Sequence, residues 1–153
     1  MLKWGKIVCP VDLSEVSMGA LKLAAGVADT CGSSLVVVNV VEPIVAPSDF
    51  TFGPMTTGEV EDRLVERSEV ALRELAATLH LPEGRVSVRV ERGRASSEIV
   101  RVAQEEKADL LVMGTHGYTG MAHVLLGSTA ERVLRKAPCP VLTLRASDLA
   151  TGG

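Results

Sequence analysis

The chain has 153 residues, of which 46% are hydrophobic and 23% are charged, as expected for one globular domain with a substantial core. The formal net charge of −3 argues against nucleic acid or an anionic membrane surface as a partner, because both attract basic proteins. The three separated cysteines indicate neither a disulfide framework nor a Cys-x-x-Cys metal site. Because the sequence has no signal peptide and no long apolar stretch, we expect a cytoplasmic protein that binds a small ligand or another protein.

The first part of the chain predicts a strand, a helix and a second strand. The apolar run Lys6–Val11 is typical of a buried strand, and Ser14 after it is a good helix N-cap. The amphipathic helix that follows should stop at Gly32. The next run, Ser34–Val41, is β-branched and almost continuously apolar, which is typical of a central strand covered on both faces.

The middle of the chain predicts a loop, a helix and an edge strand. Residues 42–57 contain three prolines and a glycine, which favours a long loop. An amphipathic helix is predicted from about Gly58 to Leu79, with a charged side that we expect to face solvent. Apolar and polar residues alternate over Arg85–Glu91, so this strand should lie at an edge with one wetter face.

The last part of the chain repeats the alternation. A helix is predicted over Ala95–Glu106 and a buried strand over Ala108–Gly114. After a glycine-containing segment, Ser128 should open the next helix, with Glu131 as its capping-box partner. The final strand is Val141–Arg145, after two prolines that end the helix.

The five strands are separated by four helices, a pattern that favours an α/β fold with a parallel sheet and helices on both faces. We assign residues 1–147 to a single domain and residues 148–153 to a short tail without predicted structure. In such a sheet, ligands lie beyond the carboxyl ends of the strands, where neighbouring loops diverge. In the strand order 3-2-1-4-5, the loops after the first and fourth strands, Pro10–Ser14 and Gly114–Ser128, would converge on one crevice.

The residues of these two loops favour a nucleotide. Gly114 and Gly117 permit positive φ angles and close backbone approach, so successive N–H groups could form a nest for an anion. Gly127 and Ser128 would add the unpaired N–H groups of a helix start, and Asp12 would accept from a base amino group or ribose hydroxyls. The alternative is structural, with glycines that serve only turns and a serine that serves only as a cap.

The glycine spacing matches neither common phosphate loop, since GxxxxGK[ST] and a GxGxxG after the first strand are absent. It matches another pattern. Gly114-x2-Gly117-x9-Gly127-Ser128 resembles the ATP-binding signature of the universal stress protein family, G-x2-G-x9-G-[S/T]. The stretches KIVCPVDLSEVSMGAL and STAERVLRKAPCPVLTLR resemble that family's first strand and helix and its last helix and strand.

The resemblance implies a Rossmann-like fold of the adenine-nucleotide alpha-hydrolase type with ATP, ADP or AMP as ligand. Asp12 matches the residue near adenine and ribose, Val40 matches an apolar contact to adenine, and His116 lies inside the loop at a position that varies within the family. Asn39 stands where a histidine is frequent, which touches the neighbourhood of the adenine pocket. The nucleotide-binding residues assigned in this way are Pro10, Val11, Asp12, Ser14, Val40, Met113, Gly114, His116, Gly117, Gly127, Ser128 and Thr129.

The resemblance also implies partners. Mg²⁺ or Mn²⁺ often accompanies the phosphates in such sites, although the sequence does not indicate which side chains would ligate it. Family members commonly form homodimers through the last strand, here Val141–Arg145, and an edge strand is a plausible template for such pairing.

Three functions remain open at this point. The first is a nucleotide-binding regulatory protein with little or no turnover, favoured because the loop has no lysine, no arginine and no evident base, so no catalytic residue is assigned. The second is a slow ATPase or autophosphorylating protein that uses Ser128, Thr129 or His116. The third is a dimeric interaction module that works without nucleotide, a role that would not need the glycine signature.

Overall fold

The computed structural model describes residues 3–47, 53–116 and 126–149. Its strands are β1 (Lys6–Pro10), β2 (Ser34–Val41), β3 (Val86–Arg92), β4 (Leu110–Gly114) and β5 (Val141–Leu144). They form one parallel sheet in the order β3-β2-β1-β4-β5. The predicted fold class and strand order are therefore confirmed, and the first and fourth strands are neighbours.

The helices within the described residues are α1 (Glu15–Cys31), α2 (Thr57–Ala77), α3 (Ala95–Glu105), α4 (Ser128–Lys136) and α5 (Ala146–Leu149). The first two pack on one face of the sheet, and α3 and α4 pack together on the other, which confirms the expected two-sided cover. Within the described residues, no helix is long and apolar enough to cross a membrane.

Alternate residues of the central strands face opposite layers, since side chains in a strand alternate between faces. Ile7 and Cys9 of β1 belong to the core under α1 and α2, whereas Val8 belongs to the core on the α3 side. Leu110 and Leu111 of β4 divide in the same way. Continuous apolar runs are needed here because both faces of these strands are buried.

The edge strand β3 has the predicted wetter face. Its apolar residues pack against the core under α1 and α2, while the face toward α3 is polar. There Arg89 contacts carboxylates of Glu91, Glu105 and Glu106 at 2.6, 2.8 and 3.0 Å. Arg101 of α3 bridges to Glu91 as well. Ion pairs thus cover this face of the edge strand, where the sequence provides no apolar side chains.

Both predicted caps of α1 are confirmed. The Ser14 hydroxyl accepts a hydrogen bond from the Ser17 amide at 3.2 Å, and Gly32 ends the helix with a φ of 70°, a left-handed conformation that glycine adopts without strain. The last turn has no basic residue of its own. Arg85 supplies the charge instead, because its guanidinium donates to the carbonyls of Ser33 and Ala28.

The second helix begins slightly earlier than predicted, at Thr57. Its N-cap is Thr56, whose hydroxyl accepts from the Glu59 amide while the Glu59 carboxylate accepts from the Thr56 amide. This reciprocal capping box lowers the pKa of Glu59, since both Thr56 bonds favour the ionised carboxyl. The Thr-x-x-Glu spacing that indicates this start is present in the sequence.

The predicted capping box of α4 is wrong. Gly127, not Ser128, is the N-cap, with the extended angles φ −67° and ψ 158°. Ser128 is already helical, so its hydroxyl is in the wrong place to cap the N3 amide. Glu131 pairs with Arg135 one turn later. Helix α4 therefore starts without a side-chain cap.

The short helix α5 is not predicted by the sequence analysis. The Arg145 amide donates to the Asp148 carboxylate at 2.8 Å, which turns the chain and ends β5 at Leu144 instead of Arg145. Helix α5 then packs on α1 at Gly19, where an added Cβ would lie within 3 Å of Leu144 and Leu149 side-chain atoms. This contact depends on tertiary packing, so the local sequence does not reveal it.

Candidate functional site

A cavity of about 320 Å³ lies at the carboxyl ends of β1, β2 and β4 and at the first turns of α3 and α4. It brings together the two loops that the sequence analysis placed at one crevice. The residues that line it are Pro10, Val11, Asp12, Ser17, Val38, Asn39, Val40, Ala95, Ile99, Met113, Gly114, Thr115, His116, Gly127, Ser128, Thr129 and Ala130.

Of the predicted site residues that the structure describes, all but Ser14 line this cavity. Ser14 is 8% exposed and caps α1, so its side chain stabilises the start of that helix and does not line the cavity. Gly117 lies outside the described residues. The wall also includes Ala95 and Ile99 of α3, which sequence reasoning missed. The start of α3 could be expected near the ligand, since a helix that follows a strand begins at the same end of the sheet, but which residues of α3 reach the cavity depends on tertiary packing.

One wall of the cavity is apolar. It is formed by Val38 and Val40 from β2, Ile99 from α3, Met113 from β4 and Ala130 from α4. Ile99, Met113 and Ala130 belong to the core cluster on the α3 side, and Val40 packs against it. This wall is therefore held by packed secondary structure and suits a flat apolar group such as a nucleotide base.

Another part of the cavity wall is the N-terminus of α4. The first N–H groups of a helix have no intrahelical partner and carry the positive end of its dipole. Because Gly127 has no side chain and Ser128 does not cap, neither residue places a side-chain oxygen at the cap position. Ser128 and Thr129 both line the cavity, so their hydroxyls are available beside the amides. The arrangement can bind phosphate or another anion.

The glycines at this end serve close packing, which corrects part of the expectation. Gly114 is the last residue of β4 and does not adopt a positive φ. A Cβ there would lie 2.7 Å from Cγ1 of Val16, and a Cβ on Gly127 would lie 2.9 Å from the Thr115 carbonyl oxygen. The Gly127 amide donates to that same oxygen at 2.6 Å. These two glycines thus let β4 approach α1 and let the start of α4 approach the end of β4.

The loop that carries Asp12 is fixed by hydrogen bonds. The Asp12 carboxylate accepts from the Ser14 amide at 3.0 Å, and the Asp12 amide donates to the Ser17 hydroxyl at 3.3 Å. Between them Leu13 has a φ of 66°, a left-handed conformation that is uncommon for leucine. Such a conformation persists when the surrounding contacts determine it, and it is common at binding sites. The Asp12 carboxylate is exposed at the cavity.

Few charged groups line the cavity. Among its described residues, Asp12 is the only carboxylate and His116 the only basic side chain. The His116 Nδ1 lies 2.9 Å from the hydroxyl of Thr115, a buried residue. The residues that the structure describes contain no cluster of three acidic, histidine or cysteine side chains suited to a metal ion. Backbone amides and hydroxyls are therefore the main groups of the described cavity lining that could bind an anion.

Comparison with known proteins agrees with the fold. A sequence model of the universal stress protein family matches residues 3–145. A universal stress protein of Methanocaldococcus jannaschii is 35% identical over 140 residues, which span 92% of this chain and 81% of that protein. A universal stress protein structure from Lactobacillus plantarum has a TM-score of 0.82 at 24% identity, covering 95% of this chain and 100% of that one. The crystal structure of a universal stress protein in complex with cAMP has a TM-score of 0.62 at 22% identity, covering 94% and 98% of the two chains. The chain therefore belongs to the universal stress protein family.

Proposed function

We propose that this protein binds an adenine nucleotide in the cavity and acts as a nucleotide-dependent regulatory protein with little or no turnover. The observation that carries the proposal is the N-terminus of α4, which opens without a side-chain cap onto a cavity whose other wall is apolar. The base would pack on the apolar wall, the ribose would meet Asp12, and the phosphates would meet the helix start. ATP, ADP and AMP all contain these parts.

A family member supports the choice of ligand. One solved universal stress protein is in complex with cAMP, so an adenine nucleotide is a ligand of that protein. In the present chain the carboxylate residue Asp12 and the hydroxyl residues Ser128 and Thr129 lie at the cavity. Both observations favour a nucleotide over an interaction module that works without one.

The charges of the site favour binding over turnover. Phosphoryl transfer needs positive charge placed against the developing negative charge of the transition state. The described cavity wall contains no lysine or arginine, and the sequence of residues 117–125 contains neither. A divalent cation would enter mainly with the phosphates, since Mg²⁺ retains waters and needs few protein ligands. Mg²⁺ or Mn²⁺ is thus a cofactor of the bound polyphosphate in this proposal.

Calorimetric titration with ATP, ADP, AMP and cAMP in the presence and absence of Mg²⁺ tests the proposal. Absence of binding by all four nucleotides at millimolar concentration would refute it. Asp12→Asn keeps the acceptor for the Ser14 amide while it removes the charge, and should weaken ATP binding about tenfold, as for the loss of a hydrogen bond to a charged group. Asp29→Asn is the matched control, because Asp29 is exposed on α1 and does not line the cavity.

A second pair of variants tests the helix start. Ser128→Pro removes an amide N–H and a hydroxyl at the first helical position, where proline is well tolerated. Gly127 already has the extended angles that a residue before proline prefers. Ser128→Ala removes only the hydroxyl. If the amides bind phosphate, Ser128→Pro should weaken ATP binding roughly tenfold more than Ser128→Ala, and equal effects would contradict this position for the phosphates.

Phosphate release measured on the same variants distinguishes regulation from catalysis. We expect release by the wild-type protein to stay near the background of a no-protein control. Steady release that disappears in Ser128→Pro would favour the slow ATPase, and phosphorylated protein detected by mass spectrometry would favour autophosphorylation.

We propose further that two copies pair through β5. Among the described strands, β5 pairs with β4 alone, on one side, and Leu142 is 38% exposed. Pro140 and Leu144 direct their carbonyls to β4, so Val141 and Thr143 direct their backbone groups outward, as alternate residues of a parallel strand do. Light scattering of the purified chain tests the pairing, and a monomer at micromolar concentration would contradict it.

A further inference from the structure

Asn39 lies at the end of β2, half-buried and at the cavity wall. Its Nδ2 donates to the carbonyl oxygen of Val11 at 2.7 Å. Only the amino side of a carboxamide can donate to a carbonyl, so this bond fixes the orientation of the side chain. Asn39 therefore ties the end of β2 to the residue that follows β1.

This bond is one of two hydrogen bonds that link the backbone of Val11 to β2. The Val11 amide donates to the Val38 carbonyl at 2.8 Å, and the Asn39 side chain holds the Val11 carbonyl. Both polar groups of Val11 are thus held by β2. The next residue is Asp12, and its own bonds to Ser14 and Ser17 hold it on the side of α1.

Hydrogen bonds determine the position of the Asp12 carboxylate, because packing contributes little there. Asp12 and Leu13 are both exposed, and Leu13 has the left-handed φ described above. A loop that is fixed before the ligand arrives loses less conformational freedom on binding, which raises affinity. If the Asn39 bond is lost, the Val11 amide bond remains and the fold should survive, but the loop gains freedom.

We propose that Asn39 is a positioning residue, which holds the Val11 carbonyl so that Asp12 is presented to the nucleotide in advance. The inference rests on the proposed nucleotide binding. Asn39 acts on the ligand through the loop and is distinct from the apolar wall formed by its neighbours Val38 and Val40.

Variants at Asn39 separate the donor from the size of the side chain. Asn39→Leu keeps the branched shape and the number of side-chain heavy atoms but has no donor, and should weaken ATP binding about three- to tenfold, as for one lost hydrogen bond. Asn39→Asp has no hydrogen to donate to the carbonyl and should weaken binding at least as much. Asn39→His should recover most of the affinity, because its Nδ1–H stands at the same distance along the side chain as Nδ2 of asparagine.

A matched control exists at the other end of the same two strands. The Ser34 hydroxyl donates to the Gly5 carbonyl at 3.2 Å, so this bond also ties β2 to the chain beside β1, far from the cavity. Ser34→Ala should leave the ATP affinity unchanged. If Ser34→Ala weakens binding as much as Asn39→Leu, the effect is general loosening of the sheet and the proposal is overturned.

A double-mutant cycle with Asp12→Asn tests whether Asn39 acts through Asp12. Asn39→Leu should cost at least twofold less in the Asp12→Asn background than in the wild type, since residues that act together are not additive. Equal costs in both backgrounds, or no cost in either, would overturn the positioning role. Failure of the wild-type protein to bind nucleotide would instead refute the proposed function itself, so the two failures are distinguishable.

Discussion

Replacement of Arg85 by methionine should destabilise the protein by about 2–3 kcal/mol, because the Ser33 carbonyl is buried and its described hydrogen bonds come from Arg85 alone. A hydrogen bond to a charged group contributes roughly 1.5–3 kcal/mol. The Ala28 carbonyl adds little to this cost, since it also accepts from the Ser33 amide at 2.9 Å. The loss of positive charge at the C-terminus of α1 adds a few tenths of a kcal/mol.

Urea unfolding followed by circular dichroism at pH 7 measures this difference, and for a chain of this length it corresponds to a decrease in Tm of roughly 5–10 °C. Arg73→Met is the matched control, because Arg73 is 65% exposed and makes only a surface pair with Glu69 at 3.2 Å. That variant should change stability by no more than about 0.5 kcal/mol. If Arg85→Met and Arg73→Met unfold at the same urea concentration, the role assigned to the guanidinium is wrong.

Three further predictions concern charge, thiols and assembly. The hydrogen bond from Arg89 lowers the pKa of Glu105 in the folded protein. The pair therefore stabilises the fold at pH values above the unfolded-state pKa of about 4.3, and this contribution is lost as the pH falls through the lower pKa of the folded state. The stability difference between wild type and Arg89→Met should therefore shrink from pH 7 to pH 3. A difference that stays the same would contradict the stabilising role of this ion pair. A thiol reagent should modify exposed Cys31 rapidly and Cys9 only after denaturation, because burial raises the pKa of the Cys9 thiol; early labelling of Cys9 by mass spectrometry would contradict this. Thr143→Pro should give a folded monomer, since it removes an outward N–H from an edge strand where proline is tolerated, and a persistent dimer would exclude pairing through β5.

The fold was predictable from sequence where one element carries its own signals. The run Ser34–Val41 has the predicted bounds because its apolar residues end abruptly on both sides. The caps of α1 are local as well, since a serine and a glycine stand at its two ends. The N-cap of α4 was misassigned because Ser128 and Glu131 have the spacing of a capping box, whereas the close approach of Gly127 to the end of β4 makes the glycine the cap.

The candidate site was predictable only in part, for a physical reason. The loops at Asp12 and Gly114 each contribute residues that are close together in the sequence, and the pairing of β1 with β4 brings the two loops together. The contribution of Ile99 depends on where α3 crosses the sheet, and the bond from Asn39 to Val11 joins residues that are far apart in the chain. Contacts of this kind follow from tertiary packing and leave no local pattern.

The close approaches at Gly114 and Gly127 affect how related sequences are interpreted. Each glycine is required by a neighbour within the protein, a valine side chain for one and a backbone carbonyl for the other. A homologue that binds no ligand would still need both to fold in the same way. The spacing of these two glycines therefore reports the architecture, and under the proposed function Asp12, Ser128 and Thr129 are better indicators of whether a homologue binds nucleotide.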